Sequence, residues 1–231
     1  MNKPVSYTDI SGNALWLDYN LSGKDACKPY TISDPAVTVT FDYDEFGRLH
    51  TQTAESVSKT TTLVTEIIYD DYSREHIRTI KPDHGESIII TTEYYENNQV
   101  SGVKVEQGTE TLSDNQYYYD LRNRLHRHDC SGSSLPKDGY GQTFTSQVFE
   151  YDCLNNFKTC TTVSSSGATD IATFTYINNN DPTISINNND PTQLTAIEHQ
   201  GNPAYPPVIN LSYYDDGQLK CDEAGRTLTY D

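Results

Sequence analysis

The chain has 231 residues, with 16 Lys and Arg against 33 Asp and Glu and a formal net charge of −17, a balance that repels phosphate backbones and anionic lipid surfaces and argues against a nucleic-acid partner. Its 18 tyrosines against one Met and one Trp, with abundant Thr, Ser, Asn and Asp, are a composition of strands and turns, and the length suits one large all-β domain or two small ones. No run of ~18 apolar residues offers a membrane span, Met1 to Ile10 lacks the charged-then-apolar pattern of a signal peptide, and the five cysteines Cys27, Cys130, Cys153, Cys160 and Cys221 include no CxxC pair, so reduced structural thiols are expected rather than a disulfide framework or a zinc knuckle.

From the N-terminus, the first recognisable element is YNLSGKD at Tyr19. An alternating strand follows, with Val37, Val39, Phe41 and Tyr43 on one face and Thr38, Thr40 and Asp42 on the other. It runs into Tyr43-Asp44-Glu45-Phe46-Gly47-Arg48-Leu49. That seven-residue pattern returns as YDDYSRE from Tyr69 and Asp70, YYENNQV from Tyr94, YDLRNRL from Tyr119 and Asp120 with Asn123, YDCLNNF from Tyr151 and Asp152 with Asn155, and YYDDGQL from Tyr213 with Gly217. A less regular copy begins at Tyr176 and another near 221 holds Gly225 and Arg226. From Tyr19 to Tyr119 the first tyrosines are 24 to 26 residues apart. A fixed period makes the pattern architecture rather than a single site.

The fifth position of the pattern holds Gly23, Gly47, Ser73, Asn98, Asn123, Asn155 and Gly217. Gly and Asn tolerate positive φ, so most copies call for a left-handed residue there, with Ser73 the dissenter. An Asp or Asn near the start folds its side chain onto the following amides and initiates a turn. The strands leading into the turns keep the tyrosine in phase with an apolar face: Leu63, Thr65, Ile67 and Tyr69; Ala172, Phe174 and Tyr176; Ile209, Leu211 and Tyr213. A period of about 25 residues therefore accommodates two strands and two turns, one hairpin per repeat, and about eight hairpins exceed the ~10 strands an open sheet carries without curling. The Gly/Ser/Pro stretch at 130–142 reads as a lengthened loop. Residues 177–183 recur unchanged as 186–192, a duplication that lengthens a second loop, with an Asn-rich recognition loop as the functional alternative.

No residue set rises to a catalytic or metal site. His126, His128 and Cys130 alternate as zinc ligands would, but they follow a repeat directly and lack a distant fourth ligand. Asp42, Asp44 and Glu45 resemble a calcium loop whose twelfth position is Thr53 instead of a glutamate. The acid pairs Asp70-Asp71 and Asp215-Asp216 occupy turn positions of separate repeats, which weighs against a glycosidase dyad. Cys153 and Cys160 bracket a turn, and a reduced pair is expected there over a cross-hairpin disulfide. The expectation is no enzyme, no cofactor and no metal.

The YDxxGRL form at this interval resembles the YD, or Rhs, repeat family from Tyr19 to Asp231. The DPTQLTAIEH stretch at 190–199, followed by the closing double motif at 209–231, is most similar to the B component of bacterial insecticidal toxin complexes. The resemblance implies an all-β fold of successive antiparallel hairpins in a curved, spiralling sheet, part of a hollow shell. It also implies a wall role in enclosing a toxic polypeptide. Partners would be flanking Rhs repeats or a C-type toxin-complex subunit, with the enclosed polypeptide inside. Localisation would be secretion within a larger toxin assembly, after the bacterial cytoplasm, without a signal peptide in this chain. The alternative is a cell-surface or secreted YD-repeat module that binds a glycan or host protein. A wall segment cut from its neighbours exposes two strand edges and is expected to associate.

Overall fold

The computed structural model describes residues 5–8, 10, 12, 14–58, 60–176, 191–222 and 224–230. The Asn-rich duplication, apart from residues 191 and 192, and the final Asp231 lie outside them. The chain divides into two compact units, residues 1–114 and 115–231. Every regular element among the described residues is a strand, and none contains a helix long and apolar enough to cross a membrane.

The first unit holds β1 (Ser6–Thr8), β2 (Ala14–Tyr19), β3 (Pro29–Ser33), β4 (Val37–Tyr43), β5 (Leu49–Ser56), β6 (Thr62–Tyr69), β7 (Glu75–Pro82), β8 (Ile88–Tyr94) and β9 (Val100–Gln107). Strand β10 (Glu110–Tyr119) carries the chain into the second unit, which continues with β11 (Leu125–Ser131), β12 (Phe144–Tyr151), β13 (Phe157–Ser164), β14 (Thr169–Tyr176), β15 (Leu194–Gln200) and β16 (Val208–Asn210). Sheet order equals chain order from β1 to β16, and a separate ribbon pairs β17 (Ser212–Tyr213) with β18 (Leu219–Cys221). The architecture is all-β, built from successive antiparallel hairpins.

Alternation sets which face is covered. In β14, Asp170 and Ala172 are buried while Thr169, Ile171, Thr173 and Thr175 are exposed, so the face shared by Ala172, Phe174 and Tyr176 turns inward. Ile67 and Ile209 are each 4% exposed. Leu63 departs from this, 43% exposed despite sharing the face of Ile67, because it lies at the β6 end remote from the turn that carries Tyr69.

The motif tyrosines Tyr19, Tyr43, Tyr69, Tyr94, Tyr151, Tyr176 and Tyr213 each sit beside a break in register. Asp42 pairs with Thr51 but Tyr43 with Leu49, leaving His50 as an extra residue. Likewise Ile68 pairs with Ile77 and Tyr69 with Glu75, leaving His76, and Glu150 pairs with Thr159 and Tyr151 with Phe157, leaving Lys158. A bulge of this kind bends the strand and adds local twist. The repeat therefore delivers one bulge and one turn together, at the connections β4–β5, β6–β7, β8–β9 and β12–β13 and again from β17 to β18.

The 130–142 stretch is not a plain lengthened loop. Cys130 and Ser131 still belong to β11, and Lys137 bridges Thr143 across a tight turn. Asp138 and Gly141 form that turn with the same hydrogen bonds as the repeats: Asp138 N–H to the Gln142 carbonyl at 3.0 Å and Gly141 N–H to the Asp138 carbonyl at 3.0 Å.

Candidate functional site: the ladder at the repeat turns

The turn chemistry recurs at four aspartates. At Asp44, Asp70, Asp120 and Asp152, one carboxylate oxygen accepts N–H bonds from the residues two and four positions on, at 2.8–3.0 Å. The second oxygen accepts from the side chain four positions on: Arg48, Arg74, Arg124 and Arg226 (from Asp222) each at 2.7 Å, and Asn156 at 2.9 Å. Hydrogen bonds to an ionised acceptor are among the stronger ones in proteins. Desolvation raises the carboxyl pKa of Asp44, Asp70 and Asp152, but the bonds from the amides and side chains of the turn outweigh it, and all three lie below the usual carboxylate value. At Asp120 the Arg124 side chain, and at Asp222 the Arg226 amide, is the leading cause of the same downward shift.

The fifth position is left-handed in all seven copies, with φ between +63° and +86° at Gly23, Gly47, Ser73, Asn98, Asn123, Asn155 and Gly217. Ser73, the expected exception, has φ +63° like the others. Its Oγ accepts a 2.8 Å bond from Arg48 Nη1, a charge-assisted contact that offsets left-handed strain of about 1 kcal/mol. Two copies put tyrosine where Asp is expected, Tyr95 and Tyr214. There the cap moves two residues along: Asn97 accepts the Gln99 N–H at 3.1 Å and Asp216 accepts the Gln218 N–H at 3.0 Å.

These turns are linked to one another. Tyr69 donates its hydroxyl to the Leu49 carbonyl at 2.7 Å, Tyr94 to Glu75 at 2.8 Å, Tyr151 to Leu125 at 2.7 Å and Tyr213 to Leu194 at 2.7 Å. Each tyrosine thus holds the seventh position of the preceding turn, or its counterpart. Over the same ring lies the arginine of that preceding turn: Arg48 is 4.3 Å from the Tyr69 centroid, Arg74 is 4.4 Å from Tyr94 and Arg124 is 4.4 Å from Tyr151. The guanidinium then reaches the fifth position of the next turn, Arg74 to Asn98 at 2.8 Å and Arg124 to Asn155 at 2.9 Å. One arginine therefore closes its own turn, stacks on the next tyrosine and caps the next turn. Where the first repeat lacks an arginine, Lys28 takes over: it bonds Asp25 at 2.9 Å, lies 4.7 Å from the Tyr43 centroid and donates to the Gly47 carbonyl at 2.6 Å. Burial is the main cause that raises the phenol pKa of Tyr43, Tyr69, Tyr94, Tyr151 and Tyr213, so these hydroxyls remain donors at neutral pH.

The remaining sequence candidates are absorbed into this framework. His126 Nδ1–H donates to the Phe149 carbonyl at 3.0 Å, as His50 does to Ile67 at 3.1 Å and His76 to Thr92 at 3.0 Å. His126 is thus a repeat position. His128 stacks on Tyr117 with centroids 4.8 Å apart and meets Phe144 edge-on at 5.6 Å, and Cys130 donates to the Phe144 carbonyl at 3.1 Å. Among the described residues, no three His, Cys, Asp or Glu side chains are grouped to hold a metal. Cys153 and Cys160 are both free thiols. Two features were hidden from sequence reading. The Asp138–Gln142 turn lacks a preceding tyrosine, although its Asp-x-x-Gly spacing matches Asp44 to Gly47. Asp170 and His199, 2.7 Å apart in the second unit, are 29 residues apart in sequence, and the one clue is an acid in phase with Ala172 and Phe174.

The fold has solved counterparts. Over 90% of its length the chain matches the crystal structure of TcdB2-TccC3 without its hypervariable C-terminal region, with a TM-score of 0.64 and 15% identity. Over 94% it matches the Photorhabdus luminescens Tc holotoxin pore bearing a TccC3 mutation, with a TM-score of 0.65 and 16% identity. A further TcdB2-TccC3 crystal structure matches over 88%, with a TM-score of 0.63 and 16% identity. No family model and no curated protein matches the chain. It spans about a tenth of the length of these solved chains, and its fold is that of a stretch of the TcdB2-TccC3 chains.

Proposed function

We propose that this chain is a structural wall segment of a Rhs-type shell that encloses a toxic polypeptide within a secreted bacterial toxin complex of the insecticidal type. The observation that carries the reading is the ladder: the rungs at Tyr69, Tyr94 and Tyr151 each join one hairpin to the next through Tyr, Arg and the left-handed turn residue, with the same contacts at different places in the chain. A structure of this kind can be lengthened by adding repeats, as a wall requires. The likeness to Tc toxin chains supports the same reading. The acids of the motif are committed to capping amides and pairing arginines, which favours scaffolding over catalysis. Flanking Rhs repeats or a C-type subunit would be the neighbours, and the enclosed polypeptide the cargo.

Among the described residues, strands β1 and β16 each have one neighbour in the sheet, and a strand edge of that kind is open to pairing. Light scattering on the 231-residue chain, and on the same chain extended with flanking repeats, tests the proposal. Association of the short form at concentrations where the extended form stays discrete is expected. A stable, cooperatively folding monomer of the short form would overturn the wall reading in favour of a self-sufficient binding module.

A further inference from the structure

In the second unit, the registers Gln147 with Thr162, Thr162 with Asp170, Cys160 with Ala172, Ala172 with His199 and Phe174 with Ile197 bring these side chains to one face of β12–β15. The 138–142 turn and the connection from β15 to β16 close over that face through Asp138, Tyr140 and Tyr205, and a cavity of about 180 Å³ lies between. Tyr140, 40% exposed, stands at its mouth, and Asp170, 2% exposed, forms its floor.

Asp170 is the anomaly. His199 Nδ1–H donates to its Oδ2 at 2.7 Å, and the His199 side chain is itself only 5% exposed. Asp170 Oδ1 is buried with no hydrogen-bond partner among the described residues. A buried carboxylate oxygen is strongly disfavoured unless a donor or a positive charge meets it. Three rings flank the space: His199 and Tyr205 stack with centroids 5.1 Å apart, and Tyr140 meets Tyr205 edge-on at 5.3 Å. Tyr205 donates to Asp138 Oδ2, which fixes that ring and places a second carboxylate at the rim.

We propose that this cavity binds a small organic cation, a primary alkylammonium of two to four carbons, the Asp170 carboxylate turning Oδ1 toward the cavity to accept from its ammonium and its carbons lying against Tyr140, Tyr205 and Phe174. Two carboxylates against one imidazole leave the site net negative in either state of the ring, so an anion is repelled. The Cys160 thiol, its pKa raised chiefly by burial, adds no charge. The absence of a three-ligand group among the described residues disfavours a metal ion. At about 30 Å³ per water-sized unit the volume holds roughly six such units, which suits a propylammonium and is too small for a nucleotide. Aromatic faces and a desolvated carboxylate together are the recognition chemistry of an organic ammonium.

The full chain would be titrated with propylammonium chloride, with 1-propanol and sodium propionate at matched ionic strength, following the His199 ring resonances by NMR. Saturable shifts with propylammonium, at least tenfold weaker binding of propanol and none of propionate are expected. Asp170→Asn should weaken propylammonium binding at least tenfold. Tyr140→Ala at the exposed mouth should weaken it about threefold and serves if Asp170→Asn does not fold. Equal binding of propanol, no saturable shift with any probe, or undiminished affinity in the folded variants would overturn the proposal and leave a water-filled cavity.

Discussion

The first unit and the second use the same turn for different ends. In the first, turns at Asp44, Asp70 and Tyr95 follow one another at the repeat interval, and Arg48 and Arg74 each serve the next rung. In the second, the turn at Asp138 has the same backbone but Lys137 in place of tyrosine and Gln142 in place of arginine. With no rung to serve, Asp138 Oδ2 instead receives the hydroxyl of Tyr205, 67 residues away. The turn is thus separable from the ladder: its Asp and left-handed residue suffice to fold it, while Tyr and Arg decide what it joins.

Acidification should open the widest gap between the two regions. Asp120, Asp129, Asp152 and Asp222 in the second unit and Asp44 and Asp70 in the first all have lowered pKa values. A lowered folded-state pKa means stability that is present above the unfolded value near 3.8 and is lost as pH falls through the folded value. His128, whose pKa burial lowers from 6.5, obeys the same sign and begins to cost the second unit stability below about pH 6.5. Hydrogen exchange followed from pH 7 to pH 3 should therefore show residues 115–231 losing protection first. Simultaneous loss would contradict the assignment.

The glycines sharpen the contrast. Gly201 has φ +116°, and a Cβ there would collide with the Thr169 backbone carbonyl, so Gly201→Ala should cost at least ~2 kcal/mol in urea denaturation. At Gly47, φ +76°, the obstructing group is the flexible end of Lys28. Gly47→Asn should cost under ~1 kcal/mol, and Gly47→Val about 1–2 kcal/mol more because of its β-branch. Equal stabilities for the two Gly47 variants would refute the requirement for a left-handed residue.

Rung by rung, Tyr69→Phe removes the hydroxyl bonded to the Leu49 carbonyl and should cost about 1 kcal/mol with the stacked Arg48 still in place. Tyr213→Phe in the second unit should cost the same, since its bond to Leu194 is also 2.7 Å. A difference above ~1 kcal/mol between the two would mean that the rungs are not equivalent. The smallest effect is a gain. Ser73→Asn supplies the side-chain acceptor that Asn98 and Asn155 already offer to Arg74 and Arg124, in a residue better suited to positive φ, and should raise stability by about 0.5 kcal/mol. A loss would show that the Ser73 pocket is too tight for the amide.

Much of the ladder was legible because its chemistry is local. Asp44, Gly47 and Arg48 lie within five residues of one another, so spacing alone indicates which amides the carboxylate reaches and where the backbone turns left-handed. Alternation likewise placed Ala172, Phe174 and Tyr176 on one face. Ser73 misled because residue preference was read without Arg48, which is distant in sequence and adjacent in the sheet. His126 resembled a metal ligand until the Phe149 carbonyl on β12 gave it a structural partner.

The sequence by itself determined the period, the all-β class, the turn residues and the inward phase of the tyrosines, since each depends on neighbours within about one hairpin. The tertiary structure alone decided what each side chain meets across strands: Tyr69 with Leu49, Arg48 with Ser73, Asp138 with Tyr205 and Asp170 with His199. The physical reason is that strand pairing converts separations of 20 to 67 residues into hydrogen-bond distance through register, and a shift of one residue in that register would turn each of these side chains to the opposite face.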